Sequence, residues 1–227
     1  MGAVNQLVLD LKAASLWSKL GVIYPMVGGT AARHALNLKA PGSFTGAFTG
    51  GWVHSATGAK PNGTNGMMDT GYRLDLAGLN PADTHWATYI RTPELTSMGC
   101  AIGNGPGNCE VLINWTGGAA LFADWPYFPH RLSGTVPGVG HGLFSGGCDA
   151  TTLHAYKNGT VFASAAASLS AIPHEPHSIT LGVGYLMLRW SSQEQAFASF
   201  GNALTAANHA ALDTAVQTYQ TTLGRQV

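Results

Sequence analysis

The chain has 227 residues, enough for one large domain with a sizeable core, and is 45% hydrophobic but only 10% charged. Its eleven Lys and Arg balance eleven Asp and Glu. That zero net charge argues against nucleic-acid packaging and against an anionic membrane surface, since both call for clustered basic residues.

With so few charges the surface must be dressed in Ser, Thr, Asn, Gly and Ala, which cost far less to dehydrate than ions do. Such a surface suits contact with other protein. Thirty glycines fit an all-β chain with many tight turns. The longest apolar runs fall well short of the roughly 20 residues that a membrane span needs. Met1 opens without a charged, then apolar, leader, so the expectation is a soluble product made in the cytoplasm.

In chain order, Val4, Leu7, Val8, Leu11, Ala14, Trp17 and Leu20 repeat at three and four and predict a helix to Gly21. Val22-Ile23-Tyr24 reads as a short strand, and His34 to Leu38 alternates like a second. Phe44, Phe48 and Trp52 are spaced by four, but the interleaved glycines argue for strand and loop over Ser43 to Ser55, with the aromatics sealing one core edge. Asn62-Gly63 and Asn65-Gly66 mark turns.

Strand-like runs then recur at Met67 to Leu74, His85 to Arg91, Met98 to Gly103, Glu110 to Trp115 and Ala119 to Trp125. After a Pro-rich loop they resume at His141 to Ser145, Thr152 to Lys157, Val161 to Ser164, Ser178 to Trp190 and Gln195 to Phe200. Asn158-Gly159 between two alternating arms is the strongest hairpin signal. A closing helix is predicted from an N-cap at Thr205, with Ala211, Leu212, Ala215, Val216, Tyr219 and Leu223 on one face. Gly224 stops it and Arg225 suits its negative end. That thin apolar stripe needs cover, and the opening helix is its natural partner, so both chain ends are expected on one side of a β-sandwich.

Chemistry-bearing motifs are sparse. His174-Glu175-Pro176-His177 places its histidines at i and i+3 across a proline, not at the i and i+4 of a helical zinc site. Glycoside hydrolysis needs two carboxyls, yet the four Glu, at 94, 110, 175 and 194, put no two on one strand face. Gly103 to Asn108 lacks the Lys of a phosphate loop and reads as a turn. The triplets starting at Asn62, Asn114 and Asn158 fit the glycosylation pattern but read as turns and a strand end. Trp52, Trp86, Trp115, Trp125 and Trp190 could stack on sugars, with packing the better reading for each. Cys100 and Cys109 flank a turn that would allow a disulfide, though three reduced thiols are the better reading. No catalytic, cofactor-binding or metal-binding residue emerges, and no enzyme is expected.

Leu16 to Thr30, Ala35 to Lys39, Trp52 with Lys60 to Gly66, Tyr156-Lys157-Asn158-Gly159, Phe200 to Thr205 and Leu223 to Val227 together resemble a known group. It is the concanavalin A-like, laminin-G-like jelly-roll domain of tailed-bacteriophage virion proteins, and the resemblance is strongest over residues 5–66 and 195–227. It implies a mainly β, antiparallel jelly-roll sandwich forming a single domain over residues 1–227: an N-terminal helix over 1–21, the sandwich over 22–203 and a C-terminal helix over 204–227. It further implies a virion structural protein, on a capsid decoration, head fibre or tail, that assembles with other virion proteins or copies of itself. The alternative is a lectin-like domain binding host-surface glycan. The calcium-binding carboxylate pattern of laminin-G domains is not evident, although Asp69, Asp75 and Asp83 lie near one another in sequence.

Overall fold

The computed structural model describes residues 2–75, 78–80, 82–93, 99–115, 118–127, 130–169, 176–184 and 186–227. Its elements begin with α1 (Ala3–Ala13), β1 (Leu20–Tyr24), α2 (Ala31–His34), β2 (Ala47–Thr49), β3 (Trp52–Ser55), β4 (Gly58–Pro61) and β5 (Met67–Asp69). The middle of the chain forms β6 (Thr84–Ile90), β7 (Cys100–Gly103), β8 (Glu110–Ile113), β9 (Ala120–Asp124), β10 (Arg131–Thr135), β11 (Gly142–Asp149) and β12 (Thr152–Lys157). The last part forms β13 (Thr160–Ala166), β14 (Thr180–Leu181), β15 (Val183–Gly184), β16 (Arg189–Trp190), β17 (Gln195–Asn202) and α3 (Ala206–Thr222).

Sheet A has eight strands in the order β13-β12-β11-β6-β17-β4-β3, with β1 also on β17; sheet B has seven, β10-β9-β8-β7-β14-β5-β2. Strands β15 and β16 make a separate ribbon. Every pairing is antiparallel. The result is the mainly β, jelly-roll-like sandwich that the strand pattern predicts.

Side-chain alternation builds two cores, one on each face of sheet A. On β6, Trp86 and Ile90 point between the sheets, where they meet Val111, Ile113, Leu121 and Trp125 of sheet B. Ala87 and Tyr89 of the same strand point the other way, into a second core with Leu7 and Leu11 of α1 and Leu212, Val216 and Tyr219 of α3. Burial on both faces explains why β6 reads as a continuous buried run. The two helices share this second core, so both chain ends sit in one layer behind sheet A.

α3 opens as expected: the Thr205 hydroxyl accepts the Asn208 N–H while the Asn208 side chain accepts the Thr205 N–H. Gly224, at φ +66°, ends it in the left-handed conformation. Arg225 differs from expectation. It is 1% exposed and runs back under the helix, where its guanidinium meets the carbonyls of Pro25, Met26, Ala56 and Ala196.

Other departures have local causes. The opening helix ends at Ala13, not Gly21, because Ser15 takes φ +56° and the Leu16 N–H turns back to the Leu11 carbonyl. His34 closes the single turn of α2 instead of starting a strand, and the Leu38 N–H bonds the Ile23 carbonyl alone. The run Met67 to Leu74 forms strand only to Asp69. The run to Trp190 breaks into β14, β15 and β16, since Gly182 (φ +86°) and a turn at Leu186 and Met187 (φ +54° and +61°) interrupt it. β10 lies inside the stretch read as a Pro-rich loop. The three cysteines are buried free thiols, and the β7–β8 register sets Cys100 opposite Leu112, away from Cys109.

The β12–β13 hairpin turns at Asn158 (φ +48°) and Gly159 (φ +72°), as its Asn-Gly pair predicts. The Asn158 Oδ1 also accepts the Leu143 N–H at 2.9 Å, tying the turn to β11. Replacing Asn158 with alanine adds left-handed strain and removes that bond, so a loss of about 1–2 kcal/mol is expected in urea unfolding. A Gly variant, which relieves the strain and lacks the bond, should fall between the two.

Candidate ligand-binding face

Helices α1 and α3 cover the outer face of sheet A. On the outer face of sheet B the β15–β16 ribbon lies over β7 and β8, where Cys100, Glu110 and Leu112 have at most 1% exposure, and beside it Phe122 and Arg131 reach solvent. Strand alternation decides what it presents. Val111 and Ile113 of β8, Leu121 and Ala123 of β9 and Leu132 of β10 point into the core. Glu110, Phe122, Asp124 and Arg131 therefore point outward.

The β8–β9 register sets Glu110 directly opposite Asp124, and the β9–β10 register sets Asp124 opposite Arg131. Both carboxylates are sealed, Glu110 at 0% and Asp124 at 1% exposure. The Arg131 Nε donates to Asp124 Oδ1 at 2.7 Å, and its Nη2 lies 3.7 Å from Glu110 Oε1. From the ribbon above, Arg189 donates to the same Glu110 oxygen. Burial, only partly countered by Arg189, pushes the Glu110 carboxyl up to about 7, and the neighbouring Asp124 adds to the rise.

Aromatic rings interleave with this charge network. The Arg189 guanidinium sits 4.8 Å from the Trp115 ring centroid and that of Arg131 5.4 Å from Phe122. Trp115 meets Phe122 edge to face at 6.0 Å. Trp115, Phe122 and Trp190 are each half-buried. Across the ribbon lies a pocket of about 380 Å³ lined by Met67, Asp69, Arg73, His177, Thr180 and Met187, among others. There Asp69 accepts the Ser178 hydroxyl and the Gly71 N–H, and Arg73 forks onto Asp75. The ribbon between is tied to the β7–β8 turn by the Met187 N–H on the Gly105 carbonyl and carries Leu188 at 66% exposure.

Of the five tryptophans that could stack on sugars, Trp86 and Trp125 are core residues and Trp52 packs against the same core. Trp115 lies beside Phe122 and Arg189, and Trp190 is half-buried on β16. The reading of the four Glu left aspartates aside, and the structure sets Glu110 against one, Asp124, on the neighbouring strand. Glu194 sits elsewhere, holding Thr57 and Arg91. Glu94, His174 and Glu175 lie outside the described residues, as do Met98 at the start of one predicted strand and Thr116 of one Asn-x-Thr triplet. Asp69 lines the pocket and Asp75 pairs with its Arg73, while Asp83 lies with Lys19 and Asp149 in a different cleft. Among the described residues there is no group of three or more His, Cys, Asp or Glu placed to hold a metal, and no helix is long and apolar enough to cross a membrane.

The chain matches no family model and no curated protein. It does resemble solved structures. Domain 4 of the extracellular arabinanase AbnA from Geobacillus stearothermophilus, determined in complex with arabinotriose, superposes with TM-score 0.60 at 14% identity over 86% of this chain and 98% of that one. A botulinum neurotoxin type C structure, described through its interaction with two ganglioside molecules, gives 0.63 at 10% identity over 90% of this chain and 53% of that one. A Trypanosoma rangeli sialidase mutant gives 0.58 at 10% identity, with 94% of this chain matched to 38% of that one. The chain thus spans about half of the toxin structure and less of the sialidase. At these identities the likeness is one of fold: a β-sandwich shared with carbohydrate- and receptor-binding proteins.

Proposed function

We propose that the chain is a non-catalytic recognition module that binds glycan on the outer face of sheet B. The observation that carries this reading is the half-exposed Trp115–Phe122 pair set among arginine and carboxylate groups, beside an open pocket. A sugar ring has an apolar face for an indole and a rim of hydroxyls for polar groups, and this surface offers both. The fold is one shared with sugar-binding proteins. The absence of catalysis is part of the proposal: Glu110 and Asp124 are sealed under arginines, out of a substrate's reach. The proposed setting is the surface of a phage particle, assembled with other virion proteins or further copies of the chain; it rests on the sequence resemblance.

Purified protein on a glycan array, followed by calorimetry on the hits, tests the binding. Trp115→Ala should weaken any hit at least about tenfold, roughly 1.4 kcal/mol, with an unchanged melting temperature, and the oligosaccharides should remain uncut. An array without a single sugar signal defeats the reading, and immunogold label absent from intact particles defeats the setting.

A further inference from the structure

The charge state of this face carries its ligand class further, on the footing of the glycan-binding reading. Three arginines line it, and each is already engaged by a carboxylate of the same chain. Arg73 is forked onto Asp75 and Arg131 onto Asp124, while Arg189 is held by Glu110. A fourth carboxylate, Asp69, stands in the pocket with hydroxyl and amide donors for partners. Among the described residues three guanidiniums thus face four carboxyls, one of which, Glu110, is raised to about 7.

We infer that the face selects uncharged glycans and turns away acidic ones, and that Glu110, Asp124 and Asp75 act as the positioning residues that set this selectivity. A sialic or uronic acid carboxylate gains most from a guanidinium whose paired N–H edge is vacant. Here those edges meet internal carboxylates, so an incoming anion must break an existing fork or lie beside like charge. Either course costs binding energy and discriminates against that ligand.

A neutral sugar meets no such opposition. Its hydroxyls can accept hydrogen bonds from Arg73, Arg131 and Arg189, each partly exposed, and leave the sealed carboxylates in place. The rings of Trp115 and Phe122 supply the stacking surface, and a guanidinium already over each ring holds its plane fixed. Glu110 has the strongest hold, because it touches both Arg131 and Arg189. Burial and the neighbouring Asp124 raise its carboxyl to about 7, and Asp124 is the group its second oxygen can share a proton with.

The test titrates wild-type protein, Glu110→Gln and Asp75→Asn against two probe sets. One is neutral, xylo- and gluco-oligosaccharides with arabinotriose; the other is acidic, sialyllactose and trigalacturonate. Wild-type protein should bind from the neutral set with little dependence on salt and ignore the acidic set. Glu110→Gln removes the carboxylate that holds Arg189 and Asp75→Asn the one Arg73 forks onto, and each should gain about tenfold or more for an acidic probe, in a salt-dependent way. Asp75, nearer the surface than the fully buried Glu110, gives the variant that keeps the test valid if Glu110→Gln folds poorly. Wild-type preference for acidic probes, or amide variants that gain nothing, overturns the inference and leaves glycan binding standing. No binding to either set overturns the glycan-binding reading, and this inference falls with it.

Discussion

Acidification should unfold this protein between about pH 6 and 4, well above the range where carboxylate protonation alone denatures most domains. Three histidines, His34, His85 and His209, have no solvent exposure, and burial pulls each below its usual value, to about 4, about 4 and about 2. Their surroundings call for the neutral ring. The His34 Nε2 accepts the Gly29 N–H, the His85 Nδ1 lies 2.6 Å from the Asn202 carbonyl, and His209 stacks on Tyr156 at 4.0 Å with Nδ1 on the Ser145 hydroxyl. His154, also shifted down by burial, lies 5.3 Å from His209.

An unfolded chain protonates these rings below about pH 6.5 while the folded chain does not, so stability is complete above that pH and lost as pH falls toward 4. Each fully shifted group removes up to about 1.4 kcal/mol per pH unit. Glu110 acts in the opposite sense, because a carboxyl raised to about 7 binds its proton more tightly in the folded state between 7 and the usual carboxylate range. It offsets roughly one histidine. Net losses of several kcal/mol by pH 4.5 remain, comparable to the whole stability of a typical domain. Thermal melts from pH 7.5 to 4.5 should show a steep fall that His209→Gln makes shallower. A melting temperature flat down to pH 5 would falsify the assignment of these rings as neutral and buried.

Removing the Arg225 side chain should cost about 3–5 kcal/mol, more than loss of an average core methyl group. Its guanidinium has five N–H donors. Nε bonds the Gln220 amide at 2.6 Å, Nη1 the Met26 and Ala56 carbonyls at 2.8 and 3.4 Å, and Nη2 those of Pro25 and Ala196 at 2.9 and 3.0 Å. The group stacks 5.1 Å over Tyr219. One side chain thus joins the end of α3 to the segment after β1, the β3–β4 turn and β17. Arg225→Ala takes this donor from the Gln220, Met26 and Ala56 oxygens, while the Pro25 and Ala196 carbonyls keep the Tyr219 hydroxyl and the Gln220 amide, and the melting point should fall by about 10 °C or more. Arg225→Lys has three donors and should recover only part of that. A variant that melts within a degree of wild type would mean water enters and replaces the guanidinium.

The strands were legible because alternation and turn chemistry are local. Asn158-Gly159 and Thr205 declare a hairpin and a helix start within a few residues, and the structure honours both. Arg225 was read only as a charge at a helix end, because its acceptors come from residues 25, 26, 56 and 196, and no local pattern records such distances. The Glu110–Asp124 pair was hidden for the same reason. A signal for it did exist: folding the chain about Gly117-Gly118 puts Glu110 against Asp124. Where local preference was weak, as at His34 to Leu38, packing chose a helical turn over the alternation. The open face itself was not legible, because which sheet the helices cover is decided by Ala87, Tyr89 and Phe197 pointing away from the inter-sheet core.

With α1 and α3 both packed behind sheet A, Gly2 at the start of α1 and Val227, whose N–H bonds Tyr89, lie on the side opposite Trp115 and Arg131. Any anchor joined at either end, whether a particle surface, a biosensor chip or a neighbouring chain, would hold the module by its back with its recognition face turned outward. Many copies mounted this way would present their faces in parallel, and a glycan-coated surface could engage several at once. Weak individual contacts would then add up to avid attachment through raised effective concentration, with no change in any single site.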